Sequence, residues 1–448
     1  MIWPSAGEAA LLTDLYELTM AASYYSQGLG NQPATFDLFI RELPEKRNFL
    51  VACGLEDALD YLETLHFDDD AVDYLQSLEI FSNDFLAELG RLRFDGDVWA
   101  IPEGEVFFER EPVLRVTGPL LQAQIVETFL INCIAFQSMV ASKAVRVAIA
   151  CENCEFVDFS LRRDHGADAG LKAARAAYIS GASATSNVLA GKRYGIPVSG
   201  TMAHSYVMSF ASEEDAFRAF ARDFPTRAVL LIDTFDVEEG ARRAARVANE
   251  LVPEGVEIRG VRIDSGDLAP LSHAVRKILD EAGLNKVQII LSGDMDEYRI
   301  REILKEGAPV DAFGVGTQMG TSGDAPSLGG VYKLVEDAGG PKVKLSVGKL
   351  TFPGRKQIFR MEKEGRYERD LIALEEETAK GRPLLVKVLA EGRRAGPPEP
   401  LADLRERCRQ AIEALPDYLR SLDPSPAYPV TESEKLAALT RSIRAQTR

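Results

Sequence analysis

The chain has 448 residues, 46% of them apolar, with 52 Lys and Arg against 69 Asp and Glu for a formal charge of −17. That length suggests two or three globular domains with ordinary buried cores, and the acidic balance argues against a general nucleic-acid or anionic-membrane surface. The stretch MIWPSAGEAA lacks the basic and apolar regions of a signal peptide, no run approaches the roughly 20 apolar residues of a membrane helix, and five scattered cysteines (Cys53, Cys133, Cys151, Cys154, Cys408) suit reduced thiols and a cytoplasmic location.

Residues 1–145 read as an α+β domain. A first helix over 14–26 has capping oxygens at Thr13 and Asp14, with Leu15, Leu18, Thr19 and Ala22 on one face. ATFDLFIREL and DVWAIPEGEVFFEREPVLRVTG read as strands joined by turns, with helices over 54–65 and 120–142.

From 146 to 346 the pattern changes. Six short apolar runs each end in charged, hydroxyl or glycine residues: EFVDF before SLRRDHG, IPV before SGTMAHS, AVLLI before DTFD, IRGVRI before DSGD, VQIIL before SGD, and DAFGVG before TQMGTSGD. Helix-length stretches over 167–192, Glu213–Asp223, Val237–Leu251 and 294–306 separate them, which is the rhythm of parallel βα units. In such folds the side chains just after each strand converge on one ligand site. The third region, 347–448, begins with KLTFPGRKQIFRMEKEGRYERDLIAL, a strand hairpin with a charged turn. After the linker GRRAGPPEP comes a helix over 401–422 whose stripe Leu404, Cys408, Ile412 and Leu415 docks on the body. The expected fold class is therefore α/β, an irregular parallel βα barrel with an additional α+β domain built from the N-terminal region and part of the C-terminal region.

Asp233 and Asp264 end successive apolar strands, where a carboxylate needs a donor, a metal or a substrate hydroxyl. Arg262 has the same strand parity as Asp264, so both can face the barrel mouth, a cation beside a hydroxyl acceptor. Asp236 with Glu239, and Asp294 with Glu297, have capping-box spacing. A helix start at Ser292, Gly293 and Asp294, and the loop carrying Gly314, Gly316, Thr317, Gly320 and Gly323, offer backbone N–H groups to phosphate. Arg162 and Arg163 could meet an anion, or one of them could pair with Asp158 or Asp164.

Of four histidines, His204 stands at a strand end beside small residues and is a candidate nucleophile or base; a satisfied structural histidine is the competing reading. His165 reads as a local cap or a group that supports a ligand contact from behind, and His66 and His273 as surface or helix-face residues. No histidine-rich zinc pattern occurs, and the lone CxxC of Cys151 and Cys154 reads as two core or edge cysteines rather than a metal site.

These junctions, together with LLTDLYELTM, ETFLINCI and SVGKLTFPGRKQIFR, resemble nicotinate phosphoribosyltransferase along nearly the whole chain. The resemblance implies transfer from 5-phosphoribosyl 1-pyrophosphate to nicotinate, giving nicotinate mononucleotide and diphosphate in NAD salvage. It also implies Mg2+, ATP as co-substrate with His204 as a phosphohistidine, and a homodimer with shared active sites. By the same resemblance Tyr16 stacks on the pyridine ring from a neighbouring subunit, Thr201 and Arg262 contact nicotinate, and Thr317 contacts phosphate. Arg162 or Arg163, Asp233, Asp264, Gly293 and Asp294 would lie around ribose and phosphates. Ser160 stands where the family usually has glycine, and Asp164 adds a carboxylate beside the two arginines.

The nicotinamide enzyme is the nearest alternative, but the stretch GASATSN carries hydroxyls and an amide where that enzyme uses an aspartate, which favours an acidic substrate. A non-catalytic metabolite-binding barrel and a metal-dependent barrel hydrolase or lyase are the readings from other classes. The first is disfavoured by intact Arg262, Asp264 and His204, the second by the scarcity of histidine.

Overall fold

A computed structural model describes residues 6–344 and 351–446. Parts of four sequence expectations lie outside them: the first five residues of the N-terminal region, the start of the hairpin stretch at Lys349 and Leu350, the last two residues of the barrel region, and both ends of the C-terminal region. Two compact units form, one from Met1–Ser142 with Ala325–Arg448, the other from Lys143–Asp324.

The first unit draws on both ends of the chain. Its seven-stranded antiparallel sheet runs in the order Gly340–Pro341, Gly330–Asp337, Pro33–Ile40, Pro112–Pro119, Asp97–Ala100, Val386–Ala390, Arg393–Arg394. Pro33–Ile40 is central, and seven of its eight residues are buried. Phe36 stacks on Tyr332 of the neighbouring strand at 4.8 Å, a cross-strand aromatic pair of the kind that fixes register. The expected hairpin forms from Lys356–Lys363 and Arg366–Leu374. Glu364 (φ 54°) and Gly365 (φ 75°) make its two-residue turn, the positive-φ geometry that matches strand twist.

The helix expected over 14–26 is Leu15–Ser26, preceded by a short helix Ala6–Ala10, but its buried face is Glu17, Leu18 and Ala21, while Leu15 is 50% exposed and Thr19 is exposed. The reason is polar: Glu17 is enclosed by hydroxyl donors, Thr13 Oγ1 at 2.8 Å and Thr128 Oγ1 at 2.8 Å. Asp14 precedes the helix without capping it, and its Oδ2 lies 2.7 Å from the same Thr128 hydroxyl. The expected helix over 120–142 divides into Leu120–Ile125 and Glu127–Cys151. The longer one corrects the reading that no segment could cross a membrane: it is long and apolar enough by composition, and 83% of that apolar window is buried. The helix expected over 401–422 is Leu401–Ala414, shorter because Pro416 cannot continue it, and the chain's last helix is Glu434–Gln446.

Glu17 yields a pH prediction. Burial, aided by the charge of Glu127, raises its carboxyl from 4.5 to about 7 against the hydrogen bonds from Thr128 and Thr13. Between those two values the folded chain keeps a proton that the unfolded chain has lost, so this group's contribution to stability falls as pH rises through that window and is level above it. Glu17→Gln removes the titration. Its melting temperature relative to wild type is expected to rise between pH 5 and pH 8, on the order of 1–2 °C, by differential scanning calorimetry; a constant difference would contradict this.

In the second unit six parallel strands run in the order Ala184–Thr185, Glu155–Asp158, Ala312–Val315, Gln288–Leu291, Gly260–Ile263, Val229–Leu231, curled into a half-barrel. Five of the six expected runs are strands. IPV is not: Val198 makes only an isolated parallel bridge to Thr185, and the edge strand is Ala184–Thr185. The stretch 167–192 is consequently two helices, Ala167–Ile179 and Val188–Tyr194, with that strand between them. Gly181 at φ 120° ends the first helix where a longer one was expected. Val237–Leu251 starts as predicted, with Asp236 Oδ1 accepting from the Glu239 amide at 2.8 Å. Its Ala241, Ala244, Ala245, Ala248 and Leu251 are buried.

Candidate active site

The strand Gly260–Ile263 buries Val261 and Ile263 and leaves Arg262 and, one step past the strand, Asp264 on the opposite side. Arg262 is 12% and Asp264 30% exposed in their side chains, and their shared parity brings them into contact as predicted. Nη2 of Arg262 donates to Asp264 Oδ1 (3.0 Å), Nε to Ser292 Oγ (2.9 Å), and Nη1 to Thr201 Oγ1 (2.7 Å) and the Met202 carbonyl (3.4 Å). A guanidinium has five N–H groups, so one remains for a ligand. Phe159 lies beneath it, ring centroid 5.8 Å from Cζ. Ser292 Oγ closes the set by donating to Asp264 Oδ1 at 2.5 Å.

Burial alone would raise the Asp264 carboxyl, but the hydrogen bonds from Ser292 and Arg262, the Arg262 charge and the charge of His204 outweigh it and hold it below the usual range. Asp264 is thus kept as an anion with His204 in electrostatic range. His204 does not stand at a strand end: it opens the short helix His204–Met208, and its Nδ1 lies 3.2 Å from Thr234 Oγ1. Asp233, next in chain to Thr234, is 8% exposed. Its Oδ2 accepts from the Asp264 amide (2.9 Å) and Ser265 Oγ (2.7 Å), while Oδ1 is buried with no hydrogen-bond partner. Direct contacts therefore join Thr201, Arg262, Asp264, Ser292 and Asp233, with His204 beside them through Thr234.

The turn after Gln288–Leu291 corrects the sequence reading. Gly293 (φ 94°) and Asp294 (φ 47°) are both left-handed, so the helix begins only at Glu297. Its cap is Asp296, whose Oδ1 accepts from the Tyr298 and Arg299 amides at 3.0 and 2.8 Å. Glu297 turns inward to Lys143 (2.6 Å) and Arg146 (2.8 Å) rather than completing a capping box with Asp294. Gly293 is required where it stands: a Cβ would lie 2.0 Å from the Asp264 carbonyl oxygen. Arg299 Nη1 donates to the Gly293 carbonyl at 2.8 Å and steadies the turn.

Arg162 and Arg163 lie in the 3-10 turn Leu161–Arg163, exposed and, among the described contacts, without an ion pair to Asp158 or Asp164. Gly316 precedes the short helix Thr317–Gly320, and Thr317 is exposed. Thr185 and Asn187 of GASATSN serve the scaffold: the Thr185 hydroxyl donates to Asp158 Oδ2 at 2.7 Å, and Asn187 Oδ1 caps Val188–Tyr194. Tyr16 belongs to the other unit, 49% exposed on the helix Leu15–Ser26 beside Leu15; Leu12, also exposed, precedes that helix. His165 is exposed and Gly166, not it, precedes Ala167–Ile179.

Sequence reasoning missed Phe159, Met202, Thr234 and Ser265. Thr234 and Ser265 follow Asp233 and Asp264 directly, so a hydroxyl after a strand-end acid was the available signal; nothing local marks the Met202 carbonyl. Among the described residues no group of three or more His, Cys, Asp or Glu could hold a metal by itself.

Residues 11–135 match the model of the nicotinate phosphoribosyltransferase (NAPRTase) N-terminal domain, and residues 154–333 that of the NAPRTase family. Nicotinate phosphoribosyltransferase pncB2 of Mycobacterium tuberculosis is 45% identical over 97% of this chain and 94% of its own length. The Bacillus subtilis nicotinate phosphoribosyltransferase is 42% identical over 82% of this chain and 76% of its own. The crystal structure of human nicotinic acid phosphoribosyltransferase superposes with a TM-score of 0.87 at 31% identity, covering 96% of this chain and 99% of that one. The chain belongs to the nicotinate phosphoribosyltransferase family.

Proposed function

We propose that the chain joins nicotinate to 5-phosphoribosyl 1-pyrophosphate, releasing diphosphate and nicotinate mononucleotide, and that ATP hydrolysis is coupled to this step through phosphorylation of His204. The observation that carries the reading is the contact set of Arg262, Asp264, Ser292, Thr201 and Asp233, with His204 beside it, at the carboxyl ends of adjacent parallel strands.

Nicotinate is an anion with a nucleophilic ring nitrogen. The remaining Arg262 N–H and the Thr201 hydroxyl would bind its carboxylate, and fixing that end orients the nitrogen towards the anomeric carbon. As the bond to diphosphate breaks, positive charge develops on the ribose; Asp264, held ionised, is placed to stabilise it. The leaving diphosphate would be received by Arg162 and Arg163 and by the backbone amides of Gly293, Asp294, Gly316 and Thr317; the Ser292 amide is already held by the Ile263 carbonyl at 2.9 Å.

Magnesium needs few protein ligands, because substrate phosphates and water fill most of its shell. Asp233, with a buried unpartnered Oδ1, and Asp264 beside it fit such a role. When bound, the ion would neutralise charge on the diphosphate. Exposure of Tyr16 with Leu12 and Leu15 supports a homodimer in which a second subunit covers that face and Tyr16 stacks on the pyridine ring. A cytoplasmic location accords with this role.

The test is product identification with magnesium, the phosphoribosyl donor and either nicotinate or nicotinamide, with and without ATP. Nicotinate mononucleotide is the expected product, formed faster with ATP. His204→Ala is expected to lose the stimulation by ATP while keeping ATP-independent turnover. Equal stimulation in both proteins would remove the phosphohistidine from the account, and absence of the nucleotide would remove the activity.

A further inference from the structure

The loop that carries Arg162 and Arg163 is anchored on one buried carboxylate. Asp158, 1% exposed, accepts from the Ser160 amide (2.9 Å), the Ser160 hydroxyl (2.6 Å) and the Thr185 hydroxyl (2.7 Å). The same Ser160 Oγ lies 3.1 Å from Asp164 Oδ2. A serine hydroxyl has one proton. The shorter contact commits it to Asp158, so the contact with Asp164 is a hydrogen bond only when Asp164 itself is protonated.

The rest of the Asp164 environment agrees. Its Oδ1 is buried with no partner, a poor setting for a carboxylate. The group is wedged between two glycines: a Cβ on Gly320 would lie 2.0 Å from Oδ1 and one on Gly170 3.1 Å from Oδ2. Arg162 and Arg163, two residues and one residue before it, make no ion pair with it among the described contacts.

We propose that Asp158, Ser160 and Asp164 are a proton-linked positioning set for the Arg162–Arg163 arm, which takes a diphosphate-bearing ligand best while a proton bridges Asp164 to Ser160. This rests on the reading that the arm meets the donor's phosphates. Loss of the proton breaks the bridge at Ser160 and leaves a partly buried carboxylate with an unpartnered Oδ1 at the base of the arm, which loosens its hold on Arg162 and Arg163. By linkage, anion binding in turn favours proton uptake at Asp164.

The carboxyl is indeed raised, to about 6, by burial first and then by the charge of Asp158, against the charge of His165. Those are the ionisable groups that act on it; Asp168, on the helix carrying Gly170, is tied to Lys172 at 3.3 Å.

The test is binding of inorganic diphosphate to the full chain by calorimetry from pH 5.5 to 8. Wild type is expected to weaken as pH rises, roughly tenfold across that range. The ligand's own phosphates gain charge over the same range and act in the opposite sense, so the direction is diagnostic. Asp164→Asn keeps an N–H donor to Ser160 and is expected to hold its affinity to pH 8. His165→Gln is expected to keep the wild-type profile, which separates the two groups even if Asp164→Asn does not fold. A wild-type affinity that is flat or rises with pH, a profile lost in His165→Gln, or an unchanged profile in Asp164→Asn would each overturn the proposal. Intact nicotinate mononucleotide formation alongside any of these would leave the functional reading standing, whereas loss of diphosphate binding and of product formation together would remove both.

Discussion

Arg262→Ala is expected to lower kcat/KM for nicotinate by about 10²- to 10³-fold, the size of effect that follows removal of one partner from a partly buried charged hydrogen-bond set. The side chain is the hub of the site: four hydrogen bonds tie it to Ser292, Thr201, the Met202 carbonyl and Asp264. Its loss removes the cation for the substrate carboxylate and frees Thr201 to rotate. It also withdraws one of the charges that hold Asp264 ionised. Arg262→Lys is expected to recover little, since one ammonium cannot reach Ser292, Thr201 and Asp264 with a planar fork. The fold should persist, because Val261 and Ile263 supply the buried side of the strand. Steady-state kinetics with circular dichroism checks both halves. Activity within threefold of wild type would mean that Arg262 does not touch nicotinate.

That hub was legible in the sequence because its signals are local. A four-residue apolar run with an arginine at its third position and an aspartate just beyond it fixes which side chains share a face, and a strand makes that geometry obligatory. Junctions with weak apolar runs were not legible in the same way. Ala184–Thr185 is an edge strand of two small residues, too short and too little apolar to stand out, whereas IPV looked stronger and makes one bridge. The cap of Glu297–Lys305 was misplaced because Asp294 and Asp296 both offer carboxylates. What decides between them is the left-handed turn at Gly293 and Asp294, set by packing against the Asp264 carbonyl on the neighbouring strand. Long-range pairs such as His204 with Thr234, or Glu297 with Lys143, depend on which strands are neighbours and have no local pattern. In the helix Leu15–Ser26 the apolar stripe pointed to Leu15, but hydroxyls from Thr13 and the distant Thr128 buried Glu17 instead.

The largest effect on stability is expected at a residue with no part in the chemistry, Arg360→Met. Arg360 is fully buried in the first unit and grips Asp370, also fully buried, through Nε (3.1 Å) and Nη2 (2.6 Å). Its Nη1 donates to Glu105 Oε1 and the Val106 carbonyl, both at 2.9 Å. Glu111 completes the group: burial and the charge of Asp370 push its carboxyl well above the usual range, so it stays neutral. Two anions, Asp370 and Glu105, are thus balanced by Arg360 and the half-exposed Arg382, which reaches Glu105 at 2.8 Å. Methionine would fill much of the space and leave Asp370 without a cation, its side-chain partners reduced to the Tyr428 hydroxyl at 3.2 Å and the Glu111 carboxyl. An orphaned buried charge of this kind costs about 3–5 kcal/mol, a large share of the roughly 5–15 kcal/mol that holds a domain folded. Arg360→Met should therefore express poorly or unfold at much lower urea concentration. The double variant Arg360→Met with Asp370→Asn should recover most of the loss, because the penalty lies in the charge and not in the volume. Equal urea midpoints for the single and double variants would place the cost in packing instead.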